Sequence, residues 1–156
     1  MKKNKKIIVL IIIVCIFAII GIVICLKMQP KDALYISSYQ NSAWGQEDYG
    51  YIIYSDGTIK EYDSYNTDKE LKKSKISKEE LKRLKELSNL VEDKYEKSTS
   101  KIQIMDAGYS KEEVYNRKLD KWVVLSTFGN SNGANSTEEG KEILELVRSI
   151  ENTYLK

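Results

Sequence analysis

The chain reads as an α+β protein: an N-terminal transmembrane helix, then an antiparallel sheet of about five to six strands packed against two helices. Three observations predict this. Residues 7–26 are twenty in succession without a charge. Two later stretches carry apolar residues at helical spacing behind N-capping signatures. The segments around them alternate, or are rich in β-branched and aromatic residues, as strands are. The order strands, helix, strands, helix is that of a sheet covered on one face by helices.

Residues 1–6 form a basic N-terminus with Lys2, Lys3, Lys5 and Lys6 and no acid. Residues 7–26 follow; at about 1.5 Å rise per residue they reach ~30 Å, the hydrocarbon thickness of a bilayer. The lipid bilayer is therefore the first partner expected, through residues 7–26. Positive charge stays on the cytoplasmic side, so the N-terminus is expected inside and the rest outside. A cleaved signal would need a shorter apolar run and an A-x-A-like site, which Cys25-Leu26-Lys27 does not offer. Cys25 is placed like a lipoprotein cysteine, but Ile24 stands where that pattern wants a small residue. The run is read as a retained single-pass anchor. Residues 27–32, with the only proline (Pro30), are a short linker, and residues 33–156 an extracytoplasmic domain.

Within that domain, Ala33 to Tyr39 reads as a strand and Gln40 to Asp48, with Trp44, as a polar loop. Tyr49 to Tyr62 is expected to be a hairpin about a two-residue type I′ turn at Asp56-Gly57. That register sets Tyr51 opposite Tyr62, and Tyr54 opposite Ile59. Ser77 and Glu80 make a capping box and Ile76 with Leu81 a hydrophobic staple, opening a helix expected to run to Tyr95. Leu81, Leu84, Leu87 (or Ser88), Val91 and Tyr95 form its apolar face. Ile102 to Met105 is a candidate strand, and Val114–Tyr115 with Trp122–Phe128 a second hairpin around Arg117 to Asp120. Gly129 to Asn135 reads as a flexible loop. Ser136 and Glu139 repeat the capping box before a last helix with Ile143, Val147, Ile150 and Tyr154 inward, flanked by Leu144 and Leu146.

Composition excludes several chemistries. There is no histidine, which removes the commonest general base and any Ser-His-Asp arrangement. Both cysteines, Cys15 and Cys25, lie in the apolar run, so the domain has no disulfide, thiolate nucleophile or thiolate zinc site. The pI near 8.3 misleads. Beyond residue 30 all 23 acids meet 20 basic residues, a formal charge of −3. Nucleic acid is thus not an expected partner. No phosphate-cradling glycine motif occurs, and no cofactor is expected. Asp63, Asn66 and Asp68 supply oxygens but not in the order of a calcium loop. A wall hydrolase acting through Glu47 and Asp48 with Asp106 or Glu113 is one functional alternative.

The aromatic residues point elsewhere. Of eleven tyrosines and two tryptophans, seven tyrosines and one tryptophan concentrate between Tyr35 and Tyr65. With Tyr49, Tyr51 and Tyr62 on one hairpin face and Ile52, Tyr54 and Ile59 on the other, packing of the aliphatic face on the helices would expose the tyrosines. Trp44, Tyr49, Tyr51 and Tyr62 are therefore the candidate partner-binding residues, since such rings give large contact area at low entropic cost.

In layout and in lysine content (22 lysines to 3 arginines) the chain resembles single-pass membrane-anchored proteins of low-GC Gram-positive bacteria. The resemblance implies an external domain on an anchor and no particular activity. The hairpin marked by Tyr51, Ile53, Asp56 and Gly57, leading into Ile76 to Leu81, is similar to a segment of small protease-inhibitor domains and of unrelated α+β domains. The functional expectation is a membrane-tethered binding or accessory module for a protein or cell-wall partner. A tethered inhibitor or immunity protein is the other alternative.

Overall fold

The computed structural model describes residues 32–41, 47–64, 70–98, 108–129 and 132–155. The apolar run 7–26, most of the linker, Trp44 and the candidate strand Ile102 to Met105 lie outside the described residues. Eight strands form one antiparallel sheet: β1 (Ala33–Asn41), β2 (Glu47–Tyr54), β3 (Thr58–Asp63), β4 (Lys73–Lys75), β5 (Tyr95–Lys97), β6 (Tyr109–Asn116), β7 (Lys121–Phe128) and β8 (Gly133–Asn135). Among the described residues two helices, α1 (Lys78–Leu90) and α2 (Glu138–Tyr154), join the sheet in an α+β fold. The strand order is β4-β3-β2-β1-β6-β7-β8-β5, so β1 and β6 lie at the centre. Among the described residues no helix is long and apolar enough to cross a membrane.

One face of the sheet is buried under the helices. Tyr35, Tyr51, Ile53, Ile59, Val114, Val123 and Leu125 meet Leu84, Leu87, Val91, Ile143, Val147 and Ile150 there. The opposite face carries Ile36, Ile52 and Val124, which stay partly exposed. This is the one-sided burial that antiparallel sheets permit.

The count of eight strands exceeds the expected five to six because both edges are strands that carry no apolar alternation. Residues 73–75 (KSK) pair with β3, and 95–97 (YEK) pair with β8. Three residues long and bearing exposed Lys73, Lys75 and Lys97, they blunt the edges against pairing with another chain. Residues 133–135, read as loop, are the strand that joins β5 to β7.

The β2–β3 hairpin is real, but its register is shifted by one residue. Ile53 faces Ile59, Tyr51 faces Glu61 and Gly50 faces Tyr62. The connection has three residues, not two: the Gly57 amide closes a turn on the Tyr54 carbonyl (2.9 Å), and Gly57 alone takes positive φ (81°). A type I turn followed by a left-handed glycine requires no positive φ at Asp56, which instead accepts from the Thr58 amide (2.9 Å). Because side chains alternate, this single step exchanges the faces.

Ser77 caps α1 with the full capping box, and Ile76 is buried beside Leu81 as the staple requires. The helix stops at Leu90, five residues before the expected end. Val91 is extended (φ −59°, ψ 128°), and the carbonyls that follow are claimed from elsewhere. Buried Asn116 donates to the Val91 carbonyl (2.9 Å), and buried Asn135 donates to that of Glu92 (2.8 Å). Tyr95 then leaves the helical face and enters β5. The cap of α2 is Thr137, not Ser136: Thr137 accepts from the Gly140 amide (3.1 Å), while the Ser136 hydroxyl donates to the Lys94 carbonyl (3.2 Å).

At the other end of the helices, Tyr154 donates to Glu80 (2.8 Å) and accepts from the Ser77 amide (3.2 Å), so α1 and α2 run antiparallel. Partial burial pushes the Glu80 carboxyl up, but its bonds from Ser77 and Tyr154 outweigh this and hold it below its ordinary value. A depressed carboxylate contributes stability above its unfolded pKa and loses it as pH falls through the folded one. Glu80→Gln is therefore expected to lower the melting temperature at pH 7 and to converge with wild type in acid. Asn116→Ala, which strands a buried carbonyl, should cost about 1–3 kcal/mol in urea unfolding.

Candidate functional site

The sheet face is not covered to its end. β1 and β2 continue past the last turn of α2, and there a groove of about 350 Å³ opens. Tyr39 and Tyr49 face each other across β1 and β2, rings tilted with centroids 4.8 Å apart. Tyr49 is 42% exposed, which makes it one of the few large apolar side chains at the surface. Farther in, Tyr51 faces Ser37, whose small side chain leaves the hollow open. Among the described residues, Glu61 of β3 and Glu151 of α2 supply the only charges lining it.

Behind the groove lies a hydroxyl network. Tyr35, fully buried, donates to Glu112 (2.7 Å), whose second oxygen accepts from Ser126. A bulge between Glu112 and Glu113 turns both Leu125 and Ser126 toward this face, the first into the core and the second onto the carboxylate. The Tyr35 and Tyr51 rings lie 5.7 Å apart. Burial raises the Tyr35 hydroxyl well above its ordinary value, with Tyr51 and Glu112 adding to the effect. Burial also raises Tyr51. Tyr62 is pushed up to about 12 by desolvation and by Asp48. These groups remain neutral across the physiological range, so they offer hydrogen bonds and ring faces while Glu61 and Glu151 hold the negative charge.

Of the residues singled out in the sequence, Tyr49, Tyr51 and Tyr62 all line this groove, although not as an exposed stripe. Tyr51 is 6% exposed and belongs to the core, a consequence of the shifted register. Tyr62 pairs with Gly50, one position out of phase with Tyr51. Gly50 has no room for a side chain, since a Cβ would lie 1.9 Å from the Ser37 carbonyl oxygen. The Tyr62 hydroxyl reaches across it to that oxygen and to Asp48, each at 3.3 Å. Trp44 lies outside the described residues. The sequence missed Tyr39, Glu61 and Glu151. The alternation of Tyr35, Ser37 and Tyr39 was a signal for the first; Glu151 had none.

Of the carboxylates considered for hydrolysis, Asp48 and Glu113 are not brought together. Asp48 lies opposite Gln40 and Glu113 opposite Ile36, four residues apart on β1 and on strands either side of it. That places their backbones roughly 16 Å apart, beyond the spacing of paired glycosidase carboxylates. Asp48 is beside Tyr62, and Glu113 is paired with Lys111 (2.6 Å). Asp106 and the Glu47 side chain lie outside the described residues. Asp63 sits in β3 opposite Tyr49, while Asn66 and Asp68 lie outside the described residues. Among the described residues no three metal-ligating side chains gather.

No family model, no curated protein and no solved structure matches this chain.

A phenol whose pKa is raised by folding contributes stability that is intact below its unfolded value and is lost as pH rises through the folded one. Followed by phenolate absorbance, Tyr62 should titrate near pH 12, against 10.0 for an unperturbed tyrosine. Stability should decline above about pH 10, and less steeply in Tyr51→Phe.

Proposed function

We propose that this protein is a membrane-tethered extracytoplasmic binding module that holds a protein or cell-wall partner in the tyrosine groove. The observation that carries the reading is the convergence of Tyr39, Tyr49 and Tyr51 with Glu61 and Glu151 at the uncovered end of the sheet. Ring faces bind extended apolar or sugar surfaces, and the two carboxylates favour a partner bearing positive charge, for which tyrosine rings add cation–π attraction. The tether itself follows from residues 7–26 and the lysines before them.

The groove residues divide into those that can be changed and those that cannot. Tyr51 is packed in the core, so its removal would unfold the site together with the domain. Tyr49 and Glu151 stand at the rim. The full chain, immobilised in detergent, should retain a partner from a cell-envelope extract. Tyr49→Ala combined with Glu151→Gln should weaken that retention at least roughly tenfold, the scale of a recognition residue, with an unchanged melting temperature. Retention that survives both changes would remove the groove from the reading. A retained enzyme that loses activity on binding would identify the module as an inhibitor.

A further inference from the structure

We propose that the β6–β7 turn and the aromatic pair beside it rest on an anionic lipid surface, giving the domain a second hold on the membrane. The proposal rests on the reading of residues 7–26 as membrane-spanning. Only Lys27 to Lys31 separate that run from Asp32, and five residues extend to at most ~18 Å. The Asp32 end of the sheet is therefore kept close to the headgroup layer, itself ~5–8 Å thick on each side.

What the structure places at that end suits a membrane interface. Asp32 and Ala33 border a hollow whose other walls are Tyr115, Arg117 and Trp122. Tyr115 and Trp122 face each other across β6 and β7 with ring centroids 5.5 Å apart. Tyrosine and tryptophan are the residues that sit at headgroup depth, apolar body inward and polar edge outward. The turn beyond them presents Arg117 and Lys118, both exposed, and Leu119, 48% exposed at the tip. An apolar side chain directly after two cations is an arrangement for insertion among anionic headgroups.

The neighbouring acids are mostly engaged. Asp120 accepts from the Tyr115 hydroxyl, and Asp93 pairs with Lys121 (2.8 Å), leaving Asp32 as the one carboxylate in the hollow. No salt bridge among the described residues involves Arg117 or Lys118. The turn is also rigid: Asn116 accepts from the Lys118 amide (2.9 Å) and the Leu119 amide (3.0 Å), and Asp120 takes a left-handed φ of 52°. The tyrosine groove begins at Ser37, four residues beyond Ala33 on β1 and about 14 Å away, so a docked turn leaves it open to solvent.

The test uses the full chain with Trp44→Phe, which makes Trp122 the sole tryptophan. It is reconstituted in vesicles of phosphatidylcholine with brominated acyl chains, with or without phosphatidylglycerol. Trp122 emission should be quenched roughly twofold more with the anionic lipid than without it. High salt should remove the difference, as should Arg117→Glu with Lys118→Glu. Equal quenching in both vesicles, or a difference that survives the double reversal, would overturn the docking while the protein still floated with vesicles through alkaline carbonate. A protein stripped by carbonate would instead overturn the anchor reading, and the docking with it.

Discussion

Where α1 ends, the chain has to come out of a helix beneath a sheet and start a strand at the sheet's far edge. The carbonyls of Val91 and Glu92 have no helical partner there, and burying them unpaired would cost free energy comparable to lost hydrogen bonds. Asn116 supplies the missing donor at Val91, and Asn135 joins the Lys94 amide (2.9 Å) at the Glu92 carbonyl, from two strands that are distant in sequence. Each amide also works with its other end. The Asn116 oxygen organises the β6–β7 turn, and the Asn135 oxygen accepts from the Thr137 amide (3.0 Å) and its hydroxyl (2.5 Å) at the start of α2. Three connections are thereby fixed by two side chains, and the Ser136 amide bonding to the Lys94 carbonyl (3.0 Å) closes the same region.

That closure sets the layout. α1 follows β4 at one edge and delivers β5 to the other, and α2 returns the chain toward β4, where Lys72 donates to the Leu155 carbonyl (2.6 Å). Two antiparallel helices across one face bury the middle of the sheet and leave the Tyr39–Tyr49 end uncovered. The groove is a product of this mismatch between strand length and helix cover. The opposite end of β1 carries Asp32 and the aromatic pair of β6 and β7. The groove and the Asp32 end of the domain thus lie at opposite ends of one strand.

Much of the local structure was legible from the residues. Ser77 with Glu80 marked the start of α1, Asp56-Gly57 marked a turn, and Ile143, Val147 and Ile150 marked the inner stripe of α2. The second hairpin was legible from Trp122 to Phe128. The edge strands were not, because KSK and YEK contain no alternation and become strands only when β3 and β8 offer them a ladder. The helix end at Leu90 was not, because periodicity continued through Val91 to Tyr95 and the competing hydrogen bonds come from Asn116 and Asn135.

By itself the sequence determined the class of fold, the charge and chemistry of the domain, the start of α1 and, to within one residue, the start of α2. Those depend on periodicity and on capping residues within one turn of each other. Tertiary structure alone decided which hairpin face is buried. One residue in the β2–β3 turn reverses the alternation, and only the packing of Ile53 and Ile59 against the helices selects between the two registers. The same choice placed Tyr51 in the core and brought Glu61 and Glu151, which are ninety residues apart in the chain, to the rim of one groove.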